Sequence, residues 1–388
     1  MNNAPIYLDY AATSPVDPVV AEEMSACLME GGPFANAAST HAAGRAAKRV
    51  IDEARDRIGA LINASGDRLV FTSGATEANN LALQGVLRRD DGPGHMITTR
   101  IEHRSVLDTA AALEAADVAV TYLECDACGI VAPEQVAEAL RPETRLVSMM
   151  QVNNEIGSVQ AIESVAAICR DAGVPLHVDA AQGAGKVPLD VTGLKLDLCS
   201  LTAHKINGPK GIGALYVRSG LEIEPMIRGG EAALGARAGT LPTHQIAGFG
   251  KACEVAAQRN ESEELARLRE QLWQGLAGIT GVRRQGDPAR SAPHILSVSF
   301  PGVEGESLRF ALADIAVSAG SACTSSDPMP SHVLRSLGLS DALAESTLRF
   351  GVGRFTTEAE ISTAVERIGV EVGRLRSVGA GAPDWCSS

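Results

Sequence analysis

From about Arg45 to Pro225 the sequence alternates short apolar runs with helix-patterned stretches. That alternation limits the fold more than any other feature. A short strand, a turn of small residues and a helix, repeated in series, build a largely parallel sheet covered by helices. Leu69–Thr72, His95–Thr99, Leu146–Met150, Leu176–Asp179, Leu196–Leu201 and Gly213–Val217 read as the strands. From Glu261 the pattern changes. Glu261–Leu276 is a charged amphipathic helix, Ile295–Phe300 a strand, and a helix and a short strand near Ile315 follow. Glu358–Leu375 is a final amphipathic helix. A chain of 388 residues is too long for one comfortable core, so the second pattern predicts a smaller α+β domain.

Charge excludes several classes of function. The chain has 34 basic and 47 acidic residues, a net charge of −13. This argues against a broad nucleic-acid surface and against docking on anionic membranes. No run approaches the roughly 18 apolar residues of a membrane helix. Met1-Asn2-Asn3-Ala4-Pro5 lacks the basic-then-apolar start of a signal peptide, so none is expected. The eight cysteines are widely spaced and suggest no disulfide framework, which predicts a reduced, cytoplasmic setting. Cys125-Asp126-Ala127-Cys128 has CxxC spacing but no second pair, and reads as a turn with two ordinary thiols. No metal site is expected.

Ligands of open α/β sheets bind beyond the carboxyl ends of the strands. After Phe71 comes Thr72-Ser73-Gly74-Ala75-Thr76-Glu77, small residues opening a helix, which suits a phosphate. After Thr99 comes Ile101-Glu102-His103; after Met150, Gln151-Val152-Asn153-Asn154-Glu155. Asp179 ends its strand and leads to Gln182; after Leu201 comes Thr202-Ala203-His204-Lys205. Any one of these is ordinary alone. Together they offer an anion site, a His, an Asn, an Asp and a Lys. A carboxylate to face a pyridinium nitrogen and a lysine to form an imine are what a pyridoxal phosphate (PLP) enzyme needs. Nucleotide readings fare worse, because no GxGxxG follows the first strand and no GxxxxGK[ST] occurs.

The sequence resembles the class V aminotransferase group of fold-type I PLP enzymes, and within it the NifS/IscS-type cysteine desulfurases. The matching pieces run in order over nearly the whole chain: Tyr7–Thr13, Phe71–Glu77, Glu102-His103, Val152–Gly157, His177–Gln182, His204-Lys205, Arg237–Thr240, Val303–Ser307, Gly320–Ser325 and Gly353–Glu358. The resemblance implies a large domain with a mostly parallel seven-stranded sheet over residues 14–260. It implies a small α+β domain from residues 1–13 and 261–376, and a loose tail over 377–388.

The resemblance also implies roles. Lys205 would carry PLP, Asp179 would pair with the ring nitrogen, and His103 would stack on the ring, with Lys205 and His103 both taking part in the proton movements of catalysis. Gln182 and Asn154 would hydrogen-bond near the ring hydroxyl. Ala75, Thr76, Thr202 and His204 would hold the phosphate, joined by Thr240 from the partner of a homodimer. Arg354, with Asn36, would bind the substrate. Cys323, in the small-residue run Ser318–Pro328, would take the sulfur of L-cysteine as a persulfide, release L-alanine and pass the sulfur to an acceptor protein of iron–sulfur assembly or thiolation. A selenocysteine lyase, or another class V enzyme such as a small-amino-acid aminotransferase, is an alternative. So is an inactive sulfur-carrier or scaffold protein. The sequence departs from the family pattern at Gly229–Arg237, which lacks a charged trio, at Ala35-Asn36-Ala37-Ala38-Ser39, and in its short tail.

Overall fold

A computed structural model describes residues 5–65, 68–88, 94–230, 232–233, 235–319 and 330–379. The chain opens with β1 (Ile6–Tyr7), α1 (Pro18–Ala26) and α2 (Ala42–Leu61). The large sheet follows: β2 (Leu69–Thr72), β3 (His95–Thr99), β4 (Ala119–Leu123), β5 (Thr144–Met150), β6 (Leu176–Asp179), β7 (Leu198–Thr202) and β8 (Gly213–Val217). Between them run α3 (Ala75–Leu87), α4 (Arg104–Glu114), α5 (Pro133–Ala139) and α6 (Ile162–Ala172). The spatial order is β2-β8-β7-β6-β5-β3-β4, and only β8 runs against its neighbours. The carboxyl ends of β2 to β7 therefore share one edge.

Strand alternation puts successive side chains on opposite faces. Val70, Met96, Leu146, Leu198 and Leu215 pack on one face with α3 and α4. Leu69, Phe71, Ile97, Val147, Val178, Cys199 and Leu201 pack on the other with α2, α6 and α7 (Thr243–Arg259). Helix α7 approaches α2 so closely that a Cβ on Gly250 would stand 2.6 Å from Ala54 Cα. Only glycine permits that approach.

After α7 come α8 (Ser262–Ala277), the antiparallel sheet β11-β12-β15-β14, and α9 (Gly305–Ala311). Its strands are β11 (Arg283–Gln285), β12 (Ile295–Ser299), β14 (Ser318–Ala319) and β15 (Thr347–Gly351). The two-residue hairpin β9 (Ala232–Ala233) and β10 (Arg237–Ala238) precedes α7. Strand β13 (Ile315–Ala316) pairs in parallel with β1. Leu8 joins Leu265, Leu272, Phe300, Leu348, Phe350 and Ile368 in a second core. That core is closed by α12 (Glu358–Gly379). No helix of the described residues is long and apolar enough to cross a membrane.

Three expectations change. Strand β4 escaped notice because it is the sheet edge and half exposed, so its sequence lacks a continuous apolar run. Helices α10 (His332–Ser336) and α11 (Asp341–Glu345) fall within residues 261–376, the segment expected to form the small domain. Instead Val333, Leu334, Leu337 and Ala344 pack into the core of the large sheet. Ser377 to Gly379 continue α12 rather than start a tail, and residues 380–388 lie outside the described residues.

Candidate active site

A cavity of about 540 Å³ opens at the carboxyl edge of the large sheet. Strand ends deliver its chemistry. Asp179 is the last residue of β6 and is nearly buried. Its Oδ1 accepts the Ala181 N–H at 2.9 Å, and its Oδ2 accepts from Asn79 Nδ2 at 2.7 Å. Lys205 closes a one-turn 3-10 helix after β7, and its Nζ donates to the carbonyls of Ala11 and Ala12, the latter at 2.7 Å. Ala11, Ala12 and Thr13 of the opening segment thus line the cavity.

His103 caps the N-terminus of α4, its Nδ1 accepting the Ser105 N–H at 3.1 Å. Burial holds this imidazole below its ordinary pKa; Asp179 opposes the shift and Lys205 reinforces it. His204 lies 3.1 Å from Thr13 Oγ1 through Nδ1. Burial, with Lys205, Lys210 and Lys186 nearby, pushes His204 down to about 4. Both shifts favour the neutral ring. Beneath His103, Glu102 is buried and pushed up to about 8 by burial and, against two hydrogen bonds, by the charge of Asp179. Its Oε1 accepts from Thr99 Oγ1 and from the Met150 N–H, both at 2.9 Å.

Ser73, Gly74, Ala75 and Thr76 also line the cavity, as do Thr202, His204 and Lys210. Gly74 sits at the N-cap of α3 with φ +151, a conformation only glycine adopts freely. It offers no side-chain cap, so the first turn of α3 meets the cavity with its backbone N–H groups and the positive end of the helix dipole.

Gln182 Nε2 donates to the Ala11 carbonyl at 2.8 Å, and its Oε1 meets His294 Nε2 at 3.2 Å. Asn154 lines the cavity, its carbonyl accepting from Arg349 Nη1 at 2.8 Å while its Oδ1 has no partner among the described residues. The sequence reading missed Arg349. Its signal was present: a lone charge inside the apolar strand Thr347–Gly351 must find a purpose. Arg349 Nη2 pairs with Asp9 Oδ1 at 3.1 Å, and its buried Nε has no partner among the described residues. Asn79, Ser105 and Lys210 also line the cavity.

Not every expected residue gathers here. Arg354, expected to hold the substrate carboxylate, instead closes a buried ion cluster. Its Nη1 meets Asp17 at 2.8 Å, and its Nε and Nη2 take both oxygens of Glu261 at 2.6 and 3.1 Å. With 2% of its side chain exposed, it presents no group to a ligand. Asn36, expected at the substrate, is exposed, and its Oδ1 accepts the Ala38 N–H in a local turn. Thr240 is exposed and does not line the cavity. Cys323 lies outside the described residues. Cys125 packs at the side of α10, 3.6 Å from the Ser336 carbonyl, and burial pushes its thiol up to about 11. Among the described residues no group of three or more side chains could hold a metal ion.

This chain is similar to known proteins over nearly its whole length. The Aminotransferase class-V family model matches residues 6–363. Cysteine desulfurase IscS of Aeromonas hydrophila is 50% identical over 387 residues, covering 98% of this chain and 95% of its own length. The same enzyme of Photorhabdus laumondii is also 50% identical, with the same coverage. Among solved structures, a NifS-like protein superposes with TM-score 0.89 at 33% identity, over 96% of this chain and 100% of its own. SspA in complex with cysteine superposes with TM-score 0.82 at 38% identity, over 91% and 100%. With a family model spanning nearly its whole length, this chain belongs to the aminotransferase class-V family.

Proposed function

We propose that this chain is a PLP-dependent cysteine desulfurase. One observation carries the reading: a single cavity joins Lys205, Asp179 and His103 to an uncapped helix N-terminus. The residues fit the cofactor. The anion end, with its backbone N–H groups, Thr76, Thr202 and His204, suits a phosphate ester. Lys205 suits an aldehyde, Asp179 a pyridine nitrogen, and the His103 ring a flat aromatic face. Gln182 and Asn154 offer amides beside the ring. When bound, PLP supplies an electron sink for bonds broken at the substrate carbon.

The chain's own residues do the rest. Lys205 holds the cofactor aldehyde and moves protons at the substrate. Asp179 keeps the ring nitrogen protonated. Arg349 Nε and Asn154 Oδ1, both buried and unpartnered among the described residues, are the groups to meet the carboxylate and amine of the substrate. Cys323 as thiolate attacks the cysteine sulfur. The C–S bond breaks, an S–S bond forms, and L-alanine leaves with the proton that replaces sulfur. The persulfide then passes to an acceptor protein of iron–sulfur cluster assembly or thiolation. Thr240 completes the phosphate site of a partner subunit in a homodimer, consistent with its exposure outside this chain's own cavity. A reduced, cytoplasmic setting suits a thiol of this kind.

Alanine formation from L-cysteine tests the reading. Cys323→Ser should keep the visible absorbance of the bound cofactor and lose alanine formation and the persulfide. Cys125→Ser, Cys128→Ser and Cys253→Ser should match wild type. Borohydride reduction should place the pyridoxyl group on Lys205. Activity surviving in Cys323→Ser would sink the persulfide route.

A further inference from the structure

Along the cavity wall, a chain of hydrogen bonds runs from Asp179 to His103, and it has a direction. A carboxylate offers only acceptors. Asp179 Oδ2 therefore turns the NH₂ end of Asn79 towards itself, at 2.7 Å. The second amide hydrogen of Asn79 reaches Ser105 Oγ at 2.8 Å. Ser105 Oγ, now an acceptor, has its one hydrogen left for His103 Nδ1, also at 2.8 Å. The Ser105 backbone N–H points at the same Nδ1 from 3.1 Å. Two donors converge on one ring nitrogen. A proton on Nδ1 would face both, so the ring holds its proton on Nε2. Asn79 and Ser105 are both buried at the cavity wall.

We propose that Asn79 and Ser105 are positioning residues that lock His103 as the neutral Nε2–H tautomer. A ring in that state offers a flat face and one donor. It has no free lone pair with which to take a proton. His103 then orients and donates, and the proton transfers of the reaction fall to Lys205. Other charges face the ring as well. Asp179 from β6 and Asp108 from α4 favour the protonated ring, and Lys205 from beyond β7 opposes it. His332 of α10 also lies near. The division of labour rests on the desulfurase reading; the tautomer does not.

Nitrogen-15 spectra of the histidine-labelled, cofactor-loaded protein test the proposal, with His103→Gln identifying the His103 signals. Wild type should show a bare Nδ1 and a protonated Nε2 from about pH 8 down to the ring's depressed titration. Ser105→Ala removes one of the two donors, and the His103 titration should rise by about half to one pH unit. Asn79→Leu frees the Ser105 hydroxyl to turn and should shift it in the same direction. Ser105→Thr should restore the wild-type titration. A proton on Nδ1 in wild type near neutral pH, or a Ser105→Ala titration that overlays wild type, would overturn the proposal. A wild-type protein that shows the tautomer but forms no alanine would sink the desulfurase reading and leave this inference standing.

Discussion

Arg349 Nη2 lies 3.1 Å from Asp9 Oδ1, and Asn154 offers its carbonyl to Nη1 of the same guanidinium at 2.8 Å. Two of the three guanidinium nitrogens are thus committed inside the protein, and the third, Nε, is buried and unmatched among the described residues. A buried donor without an acceptor is costly, which makes an incoming carboxylate its natural complement.

Arg349→Lys should lower kcat/KM for L-cysteine by about 10- to 100-fold, because a lysine ammonium cannot serve Asp9, Asn154 and a carboxylate at once. The cofactor absorbance should persist. Steady-state alanine formation measures the effect, and an unchanged kcat/KM would assign the substrate carboxylate elsewhere.

Arg354 predicts the opposite split. Arg354→Met leaves Asp17, only 3% exposed in its side chain, without its ion pair, and leaves Glu261 with Arg259 alone at 3.7 Å. Stability should fall by about 3–5 kcal/mol. KM for L-cysteine should stay within about twofold, since uniform substrate binding is untouched. Denaturant unfolding alongside kinetics separates the two. A large rise in KM with normal stability would return Arg354 to the substrate.

Asp179→Asn should keep the fold, because the amide is isosteric and can still accept the Ala181 N–H. It should lower turnover by about 100-fold or more, since it cannot hold a proton on the ring nitrogen by charge. Near-normal alanine production would contradict the role.

Glu102 gives a pH signature. Burial raises its folded pKa to about 8, against 4.5 for an ordinary glutamate. The folded state therefore binds more protons than the unfolded state between those values. Its contribution to stability is full below about 4.5 and is lost as pH rises towards 8. Glu102→Gln cannot ionise. Relative to wild type, it should gain stability steadily from pH 5 to pH 8, read as the difference between the two unfolding midpoints. Taking the difference cancels the buried histidines, His177 and His204 among them, whose depressed pKa values give the opposite slope in acid. A difference independent of pH would show that Glu102 titrates as an ordinary carboxylate.

The strands and the helix starts were legible because burial and local backbone preference both leave periodic traces. Lys205, Asp179 and His103 were legible because strand ends in an α/β sheet face one edge, whatever else the chain does. Asn79 and Ser105 were not. Each occupies an ordinary position in the first turns of a helix, and their contact spans 26 residues.

The sequence by itself therefore determined the large sheet, its sequence of polar strand ends and the class of chemistry they carry. Tertiary structure decided which arginine faces the cavity. Arg349 and Arg354 lie five positions apart, and nothing local separates them. Their roles are settled by Asp9 and Asp17, 340 and 337 residues away in the chain. It also decided that Val333, Leu334 and Leu337 pack with the large sheet rather than with the second core beside them in sequence. Periodicity records whether a side chain is buried. What it meets there depends on distant segments brought together by folding, and a buried charge takes its meaning from that partner.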